Sequence, residues 1–523
     1  MATVVGNTHD PAARAGVQVH GGGQGLGCPV PHTSRNGRHG GLGEERMASG
    51  NGGQSVLARD LRHRYAWLPD VVADLEREVP YAAALATSSS GVRLALRDGE
   101  QSVARRDPSE GIVLTASDGH ALEEVATGAT DEASVRAAAR SLIASLRDRR
   151  VRRPVAGTPL VIDPGTPMHA DFETPATIDP ASLTLAEKLS RTESYRERAR
   201  RADPRVVQAL ARYSDGIETK VFVNRARFVT EVVRRASLIV SVYVSDGPSR
   251  RYSWISRGGT GGLEHLDVTD EALAEVTATA AALLEAVPVD PGMYDVVVDQ
   301  SVAGILAHEA FGHGVETDMF LKERARGAAY LGERVGSDLV TIMDDPTVPG
   351  GYGTYFVDDE GHASTPTCII RDGVLQRGLT DLYSATRLGI DRSANGRRES
   401  FERKAYARMS NTFFAPGSHA PDELLSSLED GLYICQGSNG MEDPKGWGIQ
   451  VGAHFAREYR HGRPTGRLFS PVSLTGYVPD VLGAVSMVAN DLHLHPGGCG
   501  KGWKEYITVG DGGPHVRTRL RVS

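Results

Sequence analysis

Six consecutive residues, His308-Glu309-Ala310-Phe311-Gly312-His313, set two imidazoles beside a carboxylate. These are the parts of a zinc hydrolase: ring nitrogens hold the ion, and a carboxylate facing the bound water takes its proton. The spacing is unusual. The common arrangement has histidines four residues apart, one above the other on a helix; here they are five apart. At about 100° per residue, His313 lies roughly 140° around the helix from His308. Both rings reach one ion only if the helix widens into a π-type turn or breaks near Gly312, and Gly312 and Gly314 make either distortion cheap. Without an ion, the same residues read as two ordinary histidines on a half-buried helix.

A third ligand has to come from elsewhere. Cys499, inside His495-Pro496-Gly497-Gly498-Cys499-Gly500-Lys501, is the best candidate, because glycines let backbone approach an ion closely and Lys501 favours the thiolate. His493 and His495 are alternatives. Glu316, two turns on from Glu309, is placed to orient a histidine. Cys368 and Cys435 lie within apolar β runs and read as core residues.

The motif needs a helix, and the pattern supplies one: a β run from Tyr294 to Asp299, then Ser301 as cap, then VAGILAHEAF. From Val335 onward the chain is mainly short β runs and loops, with a helical stretch near 421–428 and β runs at 506–509 and 516–522. The first half is different. An amphipathic stretch near 57–79 precedes short alternating runs at 91–96, 101–106 and 111–116, separated by DGE and DPSEG turns. Helices are expected over 131–150, 183–202 and 270–286, with a β-meander at 218–224, 227–234 and 238–245. Residues 1–54 are Gly-rich with few large apolar side chains and read as a disordered tail.

Composition narrows the function. The net charge is −8, which argues against a general nucleic-acid or anionic-membrane binder. The longest largely apolar run, Ala236 to Val244, is far short of the roughly 20 residues a membrane span requires. The opening MATVVGNTHD shows no secretory pattern, and four widely spaced cysteines are no disulfide framework, so a reducing, cytoplasmic setting is expected.

HEAFGHGVE resembles the signature of the TldD/PmbA family of metallopeptidases, on the TldD side that keeps the metal motif. Further blocks resemble the same family: Tyr352-Gly353-Thr354 with Asp358-Asp359-Glu360-Gly361; Arg397-Arg398-Glu399-Ser400; Arg408-Met409-Ser410-Asn411-Thr412; and Asn490-Asp491-Leu492 leading to Pro496–Lys501. The resemblance is dense from about 290 to 523 and weaker from about 57 to 289. It implies an α+β fold of two domains: an N-terminal domain, 55–289, of helices and antiparallel sheet, and a mostly β C-terminal domain, 290–523, carrying the metal-binding helix. It implies zinc held by His308, His313 and Cys499, with Glu309 as general base. Glu316 and Lys501 are left as outer-shell or substrate residues. The partners it implies are an extended peptide or peptide-like substrate and a second subunit, either a copy of this chain or a TldE-like homologue without the metal motif. The Asp/Glu and Arg blocks read first as ion pairs. Segments 436–451 and 502–510 depart from the family pattern and are candidates for the cleft wall. Two other readings compete with the peptidase: an amide hydrolase tailoring a peptide-like natural product, and a non-catalytic partner subunit, against which the intact His308, Glu309, His313 and Cys499 count.

Overall fold

A computed structural model of the chain describes residues 3–5, 56–152, 158–502 and 505–523. The disordered-tail expectation for 1–54 lies outside these residues except at Thr3–Val5, which pair with Glu124–Ala126.

The N-terminal half is built on one eight-stranded sheet. Its order is Thr3–Val5, Leu122–Thr127, Glu100–Ser117, Tyr81–Arg97, Val206–Asn224, Arg227–Ser245 and Met168–Glu173, and Arg250–Thr260 continues along the same edge as Met168–Glu173. The strands are far longer than the sequence pattern suggests. Where three short runs were expected, two strands of 17 and 18 residues run antiparallel. DPSEG does not turn the chain; a register shift between Ser89 and Gly91 absorbs it. A continuous ladder to a neighbour that is itself held by Val206–Asn224 overrides local turn chemistry.

Helices cover one face of this sheet in two groups. Near one end, Val56–Arg64, Leu68–Glu76 and Glu132–Arg152 pack Leu68, Val72, Val135 and Leu142 onto Ala84, Ile112 and Leu114. Near the other, Leu185–Arg201 and Asp270–Ala282 pack Ala199, Leu273 and Val276 onto Val206, Leu238 and Val240. Thr184 and Glu187 start the first of this pair with a reciprocal capping box. On the opposite face, Tyr81, Ala83, Leu85 and Phe222 meet Leu382 of the C-terminal half.

Besides a small two-stranded sheet of Gly396–Arg397 and Tyr406–Ala407, the C-terminal half holds two larger sheets with the motif helix, Gln300–Phe311, between them. One is six-stranded: Val374–Leu375, Thr367–Arg371, Ile342–Asp344, Asn411–Phe414, Glu505–Gly513 and, at its edge, His493–Lys501. In the other, pairing closes on itself through Asp430–Asp443, Gly292–Val298, Val516–Val522, Val472–Tyr477 and Gly448–Arg460, a ring of five strands. Val302, Ala303, Leu306, Ala307 and Phe311 seat the helix in the largest apolar cluster. Among the described residues, no helix is long and apolar enough to cross a membrane.

The DDEG and RRES blocks lie where the halves meet, as buried ion pairs. Lys220 reaches Asp359 at 2.8 Å, Arg392 reaches Asp358 at 3.2 Å, and Arg398 pairs with Glu124. Lys220–Asp359 and Arg398–Glu124 join the sheet of one half to loops of the other, while Arg392–Asp358 ties together two loops of the C-terminal half.

Candidate metal centre

The motif helix is capped by Asp299, whose carboxylate accepts from Val302 N at 2.9 Å; Ser301, the residue expected as cap, instead donates to Asp299 at 2.7 Å. The helix ends at Phe311. Gly312 closes it, donating to His308 O at 2.9 Å, and His313–Val315 form a separate 3₁₀ turn. Of the two distortions open to a five-residue spacing, the chain takes the break. Any side chain at 312 would strike His308 O and Met409, so the glycine is required by contact as well as by the backbone bend.

The break turns His313 back toward His308, leaving the rings 5.2 Å apart and nearly perpendicular. Cys499 arrives from the edge strand His493–Lys501. Its Sγ lies 3.2 Å from His308 Nε2 and 3.1 Å from His313 Nε2. The three donor atoms all fall within 4.8 Å of one another, the only such group of three among the described residues. Zinc bonds of about 2.0–2.1 Å to nitrogen and about 2.3 Å to sulfur place tetrahedral donors roughly 3.5 Å apart, so this set fits zinc with a small expansion. Three protein ligands is also the count of a catalytic site, whose fourth position belongs to water or substrate. His493 and His495 stand together 4.6 Å apart, outside the group. Cys435 is buried in an apolar cluster, and Cys368 Sγ donates to Ile370 O at 3.3 Å.

The candidate donors are flanked by a buried ionic circuit. Glu316 Oε2 lies 3.5 Å from His313 Nδ1 and 3.0 Å from Lys501 Nζ, and Lys501 also donates to Asp318 at 2.6 Å. Lys501 therefore reaches the centre through Glu316, not through the sulfur. The donor to the sulfur is Arg408, 0% exposed, with Nη2 at 3.0 Å from Cys499 Sγ. Burial opposes charge on Cys499, His313 and Glu316, yet their partners win. Burial lifts the Cys499 thiol, but His308 and His313 bring it well below its ordinary value; burial lowers His313, but Cys499 and Glu316 carry it well above. Glu316 is held far down by Lys501, His313 and Arg408 against the burial that raises it.

The cleft side is different. Ser301, Ile305 and Glu309 form one half-buried stripe of the helix. The strand Asp430–Asp443 runs beside it: a side chain at Gly437 would meet Ile305, and one at Gly440 would collide with Glu309. Burial, foremost, raises the Glu309 carboxyl, toward the range a general base needs. Two further carboxyls stand near. Glu442 approaches Gly314, both its oxygens are buried without a hydrogen-bond partner, and burial pushes it up to about 9. Asp511 lies against Gly497 and is pushed by burial to about 6. The sequence reading missed Arg408 and both carboxyls as functional residues. The only signals were the RMSNT block for Arg408 and the divergent segment 436–451, whose Gly437 and Gly440 lie beside the motif helix, for Glu442; Asp511 falls just past the other divergent segment and had none.

A cavity of ≈ 330 Å³ lies between the two halves, lined by Arg93, Ser214, Ser237, Gly498, Tyr506 and Thr508. Cys499 pairs with Ile507 and alternates with Gly498, so the lining residues of that strand pair face away from the metal centre.

A two-histidine, one-cysteine centre beside a glutamate, at the break of a helix held between two sheets, describes a metallopeptidase architecture. Sequence comparison agrees: residues 178–286 match the central domain, and 291–523 the C-terminal domain, of the PmbA/TldA metallopeptidases. A metalloprotease of Methanothermobacter thermautotrophicus is 36% identical over 318 residues, covering 60% of this chain and 69% of the relative. The metalloprotease TldD homolog of Haemophilus influenzae is 31% identical over 357 residues, covering 65% and 73%. The zinc metalloprotease TldD homolog of Saccharolobus solfataricus is 28% identical over 235 residues, covering 44% and 51%. The crystal structure of TldE from Thermococcus kodakarensis shares the fold, with a TM-score of 0.66 at 15% identity over 87% of this chain and 99% of that one. The chain belongs to the PmbA/TldD family of metallopeptidases.

Proposed function

We propose that this chain is a zinc-dependent peptidase acting on extended or unfolded peptides. One observation carries the reading: His308, His313 and Cys499 converge from a broken helix and a distant strand, with Glu309 alongside. Zinc bound there would supply an acidified water and an electrophile for the scissile carbonyl. Glu309 takes the proton of the attacking water and returns it to the departing amine, a task its raised affinity for protons suits. Glu316 fixes the His313 ring through Nδ1. Among the described residues the strand His493–Lys501 pairs only with Glu505–Gly513, so an extended peptide can add along its other edge next to Cys499. Recognition through backbone suits unfolded substrates better than a pocket for one side chain. The zinc assignment draws further support from the name of the Saccharolobus relative.

We place the protein in the cytoplasm as one half of a two-fold dimer, either with itself or with a TldE-like homologue; its fold likeness to TldE supports the pairing. The decisive variant is Glu309→Gln. It should keep about one zinc per chain while cleavage of an unfolded peptide library falls on the order of 10²–10⁴-fold. Unchanged turnover would remove Glu309 from the role. Turnover of small amides in place of peptides would move the assignment to amide hydrolysis.

A further inference from the structure

We propose that Arg408 is a positioning residue that tunes the metal by hydrogen bonding to its thiolate ligand, an inference that rests on the ligand set proposed above. The geometry is specific. Arg408 Nη2 lies 3.0 Å from Cys499 Sγ and 3.1 Å from Cys499 O, so one nitrogen grips both the sulfur and the backbone of the same residue. Nη1 donates to Glu505 O at 2.6 Å, at the start of the strand that pairs with the Cys499 strand. Nε stands 3.2 Å from Glu316 Oε1, and Glu316 in turn faces His313. The guanidinium thus bridges two ligand-bearing segments that are far apart in sequence.

The chemistry follows from the ligand type. A thiolate gives more electron density to a metal than an imidazole does, which weakens the metal as an electrophile and as an acidifier of water. A cationic donor on the sulfur withdraws part of that density and fixes the direction of the lone pairs. Arg408 therefore offsets the rate penalty of a sulfur ligand while keeping that ligand in place. Only a planar fork can reach sulfur, two carbonyl oxygens and a carboxylate at once; an ammonium at the same place cannot.

The test uses the full chain loaded with Co²⁺ in place of zinc, comparing wild type with Arg408→Lys and Arg408→Met. Wild type should show a sulfur-to-cobalt charge-transfer band. In Arg408→Met the band should move to longer wavelength, because the sulfur orbitals rise when the donor is removed; Arg408→Lys should fall between. In the zinc forms, kcat should drop about 10- to 100-fold with KM unchanged, and lysine should restore part of it. If neither variant folds, the wild type decides. After refolding and cobalt loading in D₂O, its metal–sulfur stretch in the resonance Raman spectrum should shift relative to H₂O. A band that stays in place in folded Arg408→Met, or a stretch with no isotope shift, overturns the inference. A wild-type spectrum with no sulfur band overturns both this and the ligand set. The expected band shifts with no peptide cleavage by wild type would support the role of Arg408 and sink the peptidase reading alone.

Discussion

The two sides of the metal centre are built on opposite principles. On the ligand side, the charged groups are paired with one another, Cys499 with Arg408, His313 with Glu316, and Glu316 with Lys501 and Arg408, although His308 Nδ1, Glu316 Oε1 and Arg408 Nε make no hydrogen bond. On the cleft side, Glu309 and Asp511 carry raised affinities for protons, and the buried Glu442 oxygens have no partner. A buried charge without a counter-charge costs stability, and the cleft-side carboxyls meet that cost by holding their protons more tightly. In the proposed function, the charge-paired, saturated side holds geometry and the unsaturated side is where substrate and water would meet the protein.

The sharpest way to break this contrast is to remove a ligand. Cys499→Ala should drop the metal from about one per chain toward none and reduce cleavage by more than the roughly 100-fold that loss of an outer partner costs; metal analysis and turnover report both. Glu316→Gln probes the saturated side one bond further out. Metal affinity or activity should fall about 10- to 100-fold, read by competition with a chelator. It also has a pH signature. The Glu316 carboxyl is held below its ordinary value, so its contribution to stability is present above pH about 4.3 and is lost as pH falls further. Melting of the variant should be lower than wild type at pH 7, and the two should converge in acid. On the unsaturated side the sign reverses. Glu442 is pushed up to about 9, so in the metal-free protein it costs stability as pH rises above about 4.3. Glu442→Gln should raise the melting temperature of the metal-free protein at pH 7 by a modest amount, with no gain at pH 4. A destabilised Glu442→Gln would show that this carboxyl belongs with the saturated side, and the contrast would fail.

The sequence carried the chemistry better than the scaffold. Histidines five apart across a glycine already demanded a widened or broken helix, because steric rules leave no third choice. Glu316 was readable from its spacing to the histidines. What pairing alone decides was hidden. The 17- and 18-residue strands pass through DPSEG because ladder partners, absent from any local window, outweigh turn propensity. Asp299 displaced Ser301 as the cap since both can accept from the first turn and only the incoming strand fixes which one does. Lys501 shares a strand face with Cys499 two residues before it, yet the positions of Glu316 and Asp318 take its ammonium to the carboxylates. Arg408 is 91 residues from the sulfur it contacts. Nothing in its own neighbourhood distinguishes it from the arginines of the half-to-half ion pairs.

X-ray absorption at the zinc edge of the purified, zinc-loaded chain tests the central claim most directly. The account predicts one sulfur scatterer at about 2.3 Å with two imidazole nitrogens at about 2.0–2.1 Å, the sulfur signal vanishing in Cys499→Ala. A zinc shell of nitrogen and oxygen alone, identical in wild type and Cys499→Ala, would contradict it.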